Sequence, residues 1–150
     1  MAVKVRIEGD QEVIRALRKV PADAKRAMRA EAKDIAISLA DWIKADARRR
    51  GRQAARGAST VREGNLGIWP QITASNTGKA RGILFGSIYG MKRHSGWYAA
   101  GRYSRSQGQQ FGPYVGFPGY WFWSTAEERA GWISEEWGKA GERVVKDWSA

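Results

Sequence analysis

Few side chains in this sequence could do chemistry, and their spacing does not suit it. His94 is the single histidine in the chain. Between Arg93 and Ser95 it reads as a loop residue, because a metal site needs further His, Cys or clustered carboxylates around it. The absence of cysteine excludes disulfides, thiolate metal sites and a cysteine nucleophile. Glu127 and Glu128, like Glu135 and Glu136, are adjacent on a predicted helix. Adjacent helical residues point in different directions, so neither pair makes a general acid/base couple. There is no G-x-S-x-G nucleophile turn, no Gly-Lys-Ser/Thr phosphate loop and no G-x-G-x-x-G fingerprint. The expectation is a protein that is not an enzyme, with no catalytic, metal-binding or cofactor-binding residues and no cofactor.

Binding chemistry is better represented. Arg48, Arg49, Arg50, Arg52, Arg56 and Arg62 form a dense basic tract. The arginine fork matches phosphate and carboxylate with paired hydrogen bonds, so this is a candidate surface for DNA or for assembly with an acidic protein. The same charges also suit a merely solvated face. The whole chain carries +11, and residues 51–118 hold nine Lys/Arg against one Asp/Glu. A field of that sign attracts polyanions or acidic partners. With no recognition motif beside it, contact with DNA should be to phosphates and nonspecific. The chain also has eight tryptophans. Trp97, Tyr98, Tyr103, Phe111, Tyr114 and Trp121 are candidate subunit-interface aromatics, of the kind that anchors protein contacts. Trp42, Trp137 and Trp148 read instead as core.

The elements that must carry these residues follow from periodicity. At 150 residues the chain suggests a single domain, residues 1–150. Alternation of Val3, Val5 and Ile7 with charges predicts a strand over 3–8. A short helix over 10–19 follows, capped by Asp10. Apolar or small residues at Ala24, Met28, Ala32, Ile35, Leu39, Trp42 and Ile43 put one face of a long helix, 21–50, in the core. The arginine tract leaves this helix into a predicted basic loop, 51–65, which lacks apolar periodicity. A β-hairpin is predicted over 66–89, its returning strand over 80–89. An aromatic and basic loop, 90–118, leads to a C-terminal helix over 124–148. Ser124 or Thr125 stands at capping-box spacing from Glu127 and Glu128, and Ala126, Ala130, Ile133, Trp137, Ala140 or Gly141, Val144 and Trp148 make its apolar stripe. The fold class is α+β: a small antiparallel sheet on a long central helix and a C-terminal helix, with two long loops. No window approaches a membrane span, and the charged N-terminus lacks a signal core, so a soluble protein is expected.

The order of parts carries a resemblance. A short N-terminal strand leads to Gly9-Asp10-Gln11-Glu12-Val13-Ile14-Arg15-Ala16-Leu17. A Pro-started long helix, a basic flexible loop and a hairpin follow, then an aromatic lead-in to Thr125-Ala126-Glu127-Glu128-Arg129. This layout resembles the minor tail, neck or tail-completion (head–tail connector) proteins of long-tailed bacteriophages. Arg62-Glu63-Gly64-Asn65-Leu66 is the nearest equivalent of that family's Arg-Thr-Gly-x-Leu segment and departs at its second position, and Trp121-Phe122 stands where Pro-Phe is common. The resemblance implies a virion structural protein at the head–tail junction, assembled in the bacterial cytoplasm. Its partners would be its own copies in a ring, expected to be six-fold, the adjacent neck, terminator or tail-tube proteins, and genomic DNA in the channel. A tail terminator ring capping the tube is the closest alternative. A stand-alone nonspecific nucleic-acid-binding protein is the alternative from another class.

Overall fold

In a computed structural model, residues 2–4, 11–64, 67–92 and 111–148 are described. The fold is α+β, with a small antiparallel sheet and a long C-terminal helix. Among the described residues three short strands, β1 (Ala2–Lys4), β2 (Arg62–Glu63) and β3 (Gln71–Thr73), accompany five α-helices. These are α1 (Gln11–Lys19), α2 (Ala22–Arg50), α3 (Arg52–Gly57), α4 (Leu84–Tyr89) and α5 (Phe122–Trp148). The length suggested a single domain, and the chain divides into two compact units. The first holds Met1–Ala40, Arg62–Thr73 and Arg129–Ala150, the second Asp41–Val61 and Ala74–Glu128. Both long helices therefore give residues to each unit.

The first unit contains the sheet, in the order β1-β3-β2. Val3 faces Ile72 across one antiparallel pair, and Glu63 faces Ile72 across the other. Central position explains why Gln71 and Ile72 are buried. Gly64 donates its N–H to the Gln71 carbonyl at 2.6 Å, and a Cβ there would sit 2.9 Å from Gln71 Cγ. The α2 part of this unit buries Ala24, Met28, Ala32, Ile35, Ala36, Leu39 and Ala40, steps of three and four that keep one face inward. Pro21 lies just before the helix, its carbonyl accepting the Lys25 N–H at 3.2 Å. From α5, Ile133, Trp137, Ala140 and Val144 are buried. Trp137 stacks on Trp69 at 4.7 Å and donates its indole N–H to the Ile68 carbonyl at 2.7 Å. Of the expected α5 stripe, Ala130 and Trp148 face outward, so Trp148 is not core. Lys139 pairs with Glu135 at 2.7 Å and Glu136 at 3.3 Å, which makes this acidic pair one side of a surface ion pair. Its hydrogen bond, then its charge, hold the Glu135 carboxyl below the usual range.

The second unit departs most from expectation. The basic segment after Arg50 is not a long loop. It folds as α3, a 3-10 turn over Ala58–Thr60, and β2, which belongs to the first unit. What holds α3 is small size: Ala54, Gly57 and Ala58 are buried, and a Cβ on Gly57 would overlap Ser87 Oγ on α4. Small residues allow close approach without an apolar stripe. The returning strand of the hairpin is also absent. Residues 78–80 form a 3-10 turn and 84–89 form α4, with Leu84, Ser87 and Ile88 inward and Phe85 outward. A short apolar run fits both periods, and the helix is favoured here because its open end is closed.

The last four carbonyls of a helix lack partners within it. In α4 each finds one. Gly86 receives the Gly90 N–H at 2.9 Å, Ser87 the Trp121 indole N–H at 2.9 Å, Ile88 the Tyr120 N–H at 2.6 Å and Tyr89 the Val115 N–H at 2.8 Å. The 111–121 segment thus acts as a cap. Gly90 turns with φ 77° where any Cβ would overlap the Pro113 carbonyl oxygen.

Candidate functional site

The basic tract starts on the last turn of α2, where Arg48, Arg49 and Arg50 also complement the helix dipole. Gly51, at φ 141° and ψ −178°, turns the chain into α3, which carries Arg52 and Arg56 four residues apart. These five arginines are all exposed. The turn is tied on both sides: the Gly51 N–H bonds the Ala47 carbonyl at 3.2 Å, and its own carbonyl accepts from Ala55 at 3.0 Å. Arg62 is also exposed but lies on β2, in the first unit, so it is not grouped with the other five.

Two of the five are held. Arg49 Nη1 lies 2.9 Å from Asp46 Oδ1. The other Asp46 oxygen accepts from Thr125 Oγ1 at 2.7 Å, and that hydroxyl also lies 2.7 Å from the Trp121 carbonyl. One proton serves both acceptors. Thr125 is therefore a buried clasp between α2 and α5 residues of this unit, and not the expected cap, since α5 already begins at Phe122. Arg50 lies over the Tyr120 ring, 4.1 Å from its centroid. Tyr120 is itself anchored, donating its hydroxyl to the Pro113 carbonyl at 2.5 Å. That bond needs Gly112, because a Cβ there would come within 2.6 Å of the hydroxyl oxygen. The described part of this unit carries nine Lys/Arg and four Asp/Glu, and none of those acids falls between Ala47 and Val61.

The aromatic candidates divide. Trp97, Tyr98 and Tyr103 lie outside the described residues, as does His94. Phe111 is buried with Ile83 and Met91, and Trp121 is 2% exposed, so both belong to the interior and not to an interface. Tyr114 is 53% exposed. It borders an open groove of about 390 Å³ with Phe85, Tyr89, Met91 and Lys92, and Lys92 Nζ stands 5.0 Å from its ring centroid. Val115, Phe117 and Phe85 are further exposed apolar side chains that sequence reading passed over. Tyr120 and Asp46 were passed over too. Neither lies at a motif spacing, and only their partners give them a role.

Among the described residues, no group of three His, Cys, Asp or Glu could hold a metal ion, and no helix is long and apolar enough to cross a membrane. Comparison with protein-family models, with curated proteins and with solved structures finds no match to this chain.

Proposed function

We propose that this protein is a non-enzymatic virion subunit of a phage head–tail junction, a ring-forming neck or tail-completion protein around the DNA channel. The reading rests first on the resemblance in layout, now carried by the N-terminal strand, the long helix and the C-terminal helix, without the basic loop and the hairpin. The observation that carries it further is that one compact unit presents two chemically different outward surfaces. One is the arginine tract on a hydrogen-bonded turn. The other is the exposed apolar stretch of Tyr114, Val115 and Phe117, of which Tyr114 lines a groove with Phe85. A closed ring is built from head-to-tail contacts, which require two unlike surfaces per subunit. The apolar stretch suits contact between copies, and the tract suits a polyanion or an acidic neighbouring ring. A tail terminator would use the same two surfaces. The exposed arginines also support a stand-alone nucleic-acid-binding protein.

Electron microscopy of virions labelled on this chain tests the proposal. A ring at the junction is the expected result, six-fold if the resemblance extends to symmetry, and a ring on the tube alone would favour the terminator. Particles in which the chain is never found would leave the stand-alone binder. Replacing Arg49, Arg50 and Arg52 by Ala should leave the melting temperature within a few degrees, since these are surface side chains, yet block joining of heads to tails. Normal infectious particles from that variant would show the tract to be only a solvated face.

A further inference from the structure

We infer that the arginine tract is a contact for the phosphodiester backbone of duplex DNA, in which Arg50 is the ordered anchor and Tyr120 its positioning residue. The inference deepens the proposed function, which left the tract facing either a polyanion or an acidic protein.

Three observations separate these partners. The first is what the segment itself offers between its arginines. No large hydrophobic residue is exposed from Arg48 to Arg56; the non-arginine positions are Gly51, Gln53 and Ala55, half-buried, and Ala54, buried. Protein interfaces draw their energy from buried aromatic and apolar anchors, with charges on the rim. A segment whose exposed side chains are all arginines has a rim without a centre of its own. It suits a partner whose own outer layer is charge, and small residues let a sugar–phosphate chain come close.

The second is local sign. Asp46 is the nearest carboxylate in sequence, and Arg49 and Thr125 already occupy both of its oxygens. Among the described residues no carboxylate lies in ion-pair range of Arg48, Arg50, Arg52 or Arg56. Their mutual repulsion is relieved by counterions in the free protein and by phosphates in a complex. Release of the ions condensed on DNA then drives binding.

The third is order. The Tyr120 ring covers one face of the Arg50 guanidinium, and the hydroxyl bond to Pro113 fixes the ring. The N–H edge stays available, so a phosphate meets a donor that has already lost part of its freedom. The same stack speaks against single strands, whose binders offer open aromatic faces to bases. Here Arg50 occupies a face of Tyr120, and Lys92 stands over Tyr114. The contact is therefore independent of sequence and suited to a double helix.

The test is fluorescence anisotropy of the purified full chain with a mixed-sequence duplex of about 30 base pairs, between 50 and 200 mM salt. Each phosphate contact contributes about 0.9 to the slope of log affinity against log salt. Four contacts correspond to a loss on the order of a hundredfold across this range. Arg48→Ala, Arg52→Ala and Arg56→Ala together should reduce the slope by about 2.7. Arg50→Ala should reduce it by about 0.9, Tyr120→Leu should weaken duplex binding in the same direction, and the double variant should be no worse than Arg50→Ala alone. That non-additivity reports positioning, which a general loss of folding would not reproduce; Tyr120→Phe keeps the ring but frees it from Pro113, and should bind between the native protein and Tyr120→Leu. Three results would overturn the inference: no duplex binding at 50 mM salt, a slope unchanged in the triple variant, or polyglutamate competing as well as DNA at equal charge. The last would assign the tract to an acidic protein. Because these measurements use isolated protein, their failure leaves a ring seen in virions standing, and a missing ring leaves a measured DNA contact standing.

Discussion

Residues 51–56 and 111–118 were both expected to be loop, and the segments that hold them, 48–56 and 111–121, resolve in opposite ways. In the first the backbone is regular, a helix end, a glycine turn and a second helix, while every arginine stays outside. In the second the backbone makes no helix before Phe122 and only an isolated bridge at Pro113, yet Phe111 and Trp121 go inside. Regular backbone and buried side chains are separate outcomes. The arginine segment satisfies its own N–H groups within helices and has only alanine and glycine to bury. The aromatic segment satisfies the carbonyls of another element, α4, and its large rings follow those hydrogen bonds inward. Irregular chain can therefore be more structural than helix.

The largest expected effect tests that claim directly. Trp121→Ala removes a fully buried ring and the donor to Ser87, and should cost about 3–5 kcal/mol in urea denaturation. Tyr114→Ala, on the exposed part of the same segment, should stay within about 0.5 kcal/mol. Equal shifts for the two would erase the distinction between inner and outer aromatics.

Glycine substitutions sharpen it next. Gly90→Ala forces both a positive φ and an overlap with Pro113, where the aromatic segment meets α4, and should cost about 3 kcal/mol. Gly51→Ala, in the arginine turn, meets only the backbone conformation, since no atom lies within 4 Å of a built Cβ. It should cost about 1–2 kcal/mol. A reversed order in thermal melts would mean that the arginine turn, and not the α4 cap, is the more tightly determined.

Thr125→Val comes third. It keeps the shape of the clasp and deletes the hydroxyl shared by Asp46 and Trp121, for about 1–2 kcal/mol by chemical denaturation. Smaller still, and on a par with Tyr114→Ala, should be Arg49→Ala. Its ion pair with Asp46 has an arginine side chain 76% exposed, and such pairs contribute less than about 1 kcal/mol. A change above 2 kcal/mol in a melt would move this arginine from the binding surface into the support of the fold.

Much of this architecture was legible in the residues. The α2 face from Ala24 to Ile43 repeats at helical spacing over enough turns to leave no rival period, and α5 shows the same from Ile133 to Val144. The arginines announced their exposure by charge alone. Segment 80–89 was not legible in the same way, because six apolar-rich residues satisfy a strand and a helix equally. Neither was α3, whose packing signal is small size and not hydrophobicity. At the candidate site the arginines could be read and their supports could not: Tyr120 lies 70 positions from Arg50 and Thr125 79 positions from Asp46.

By itself, the sequence determined the two long helices and the sign and placement of the charge. These depend on spacing and side-chain type, which are local. The tertiary structure alone decided that 84–89 is a helix, that Trp121 is core, and that Arg50 rests on an anchored tyrosine. Each of these depends on which donor meets which carbonyl or ring across the fold, such as the Trp121 indole on Ser87, 34 residues away. Polar groups taken from water must find such partners. The chain's path through space supplies them, and no spacing within a short window records that path.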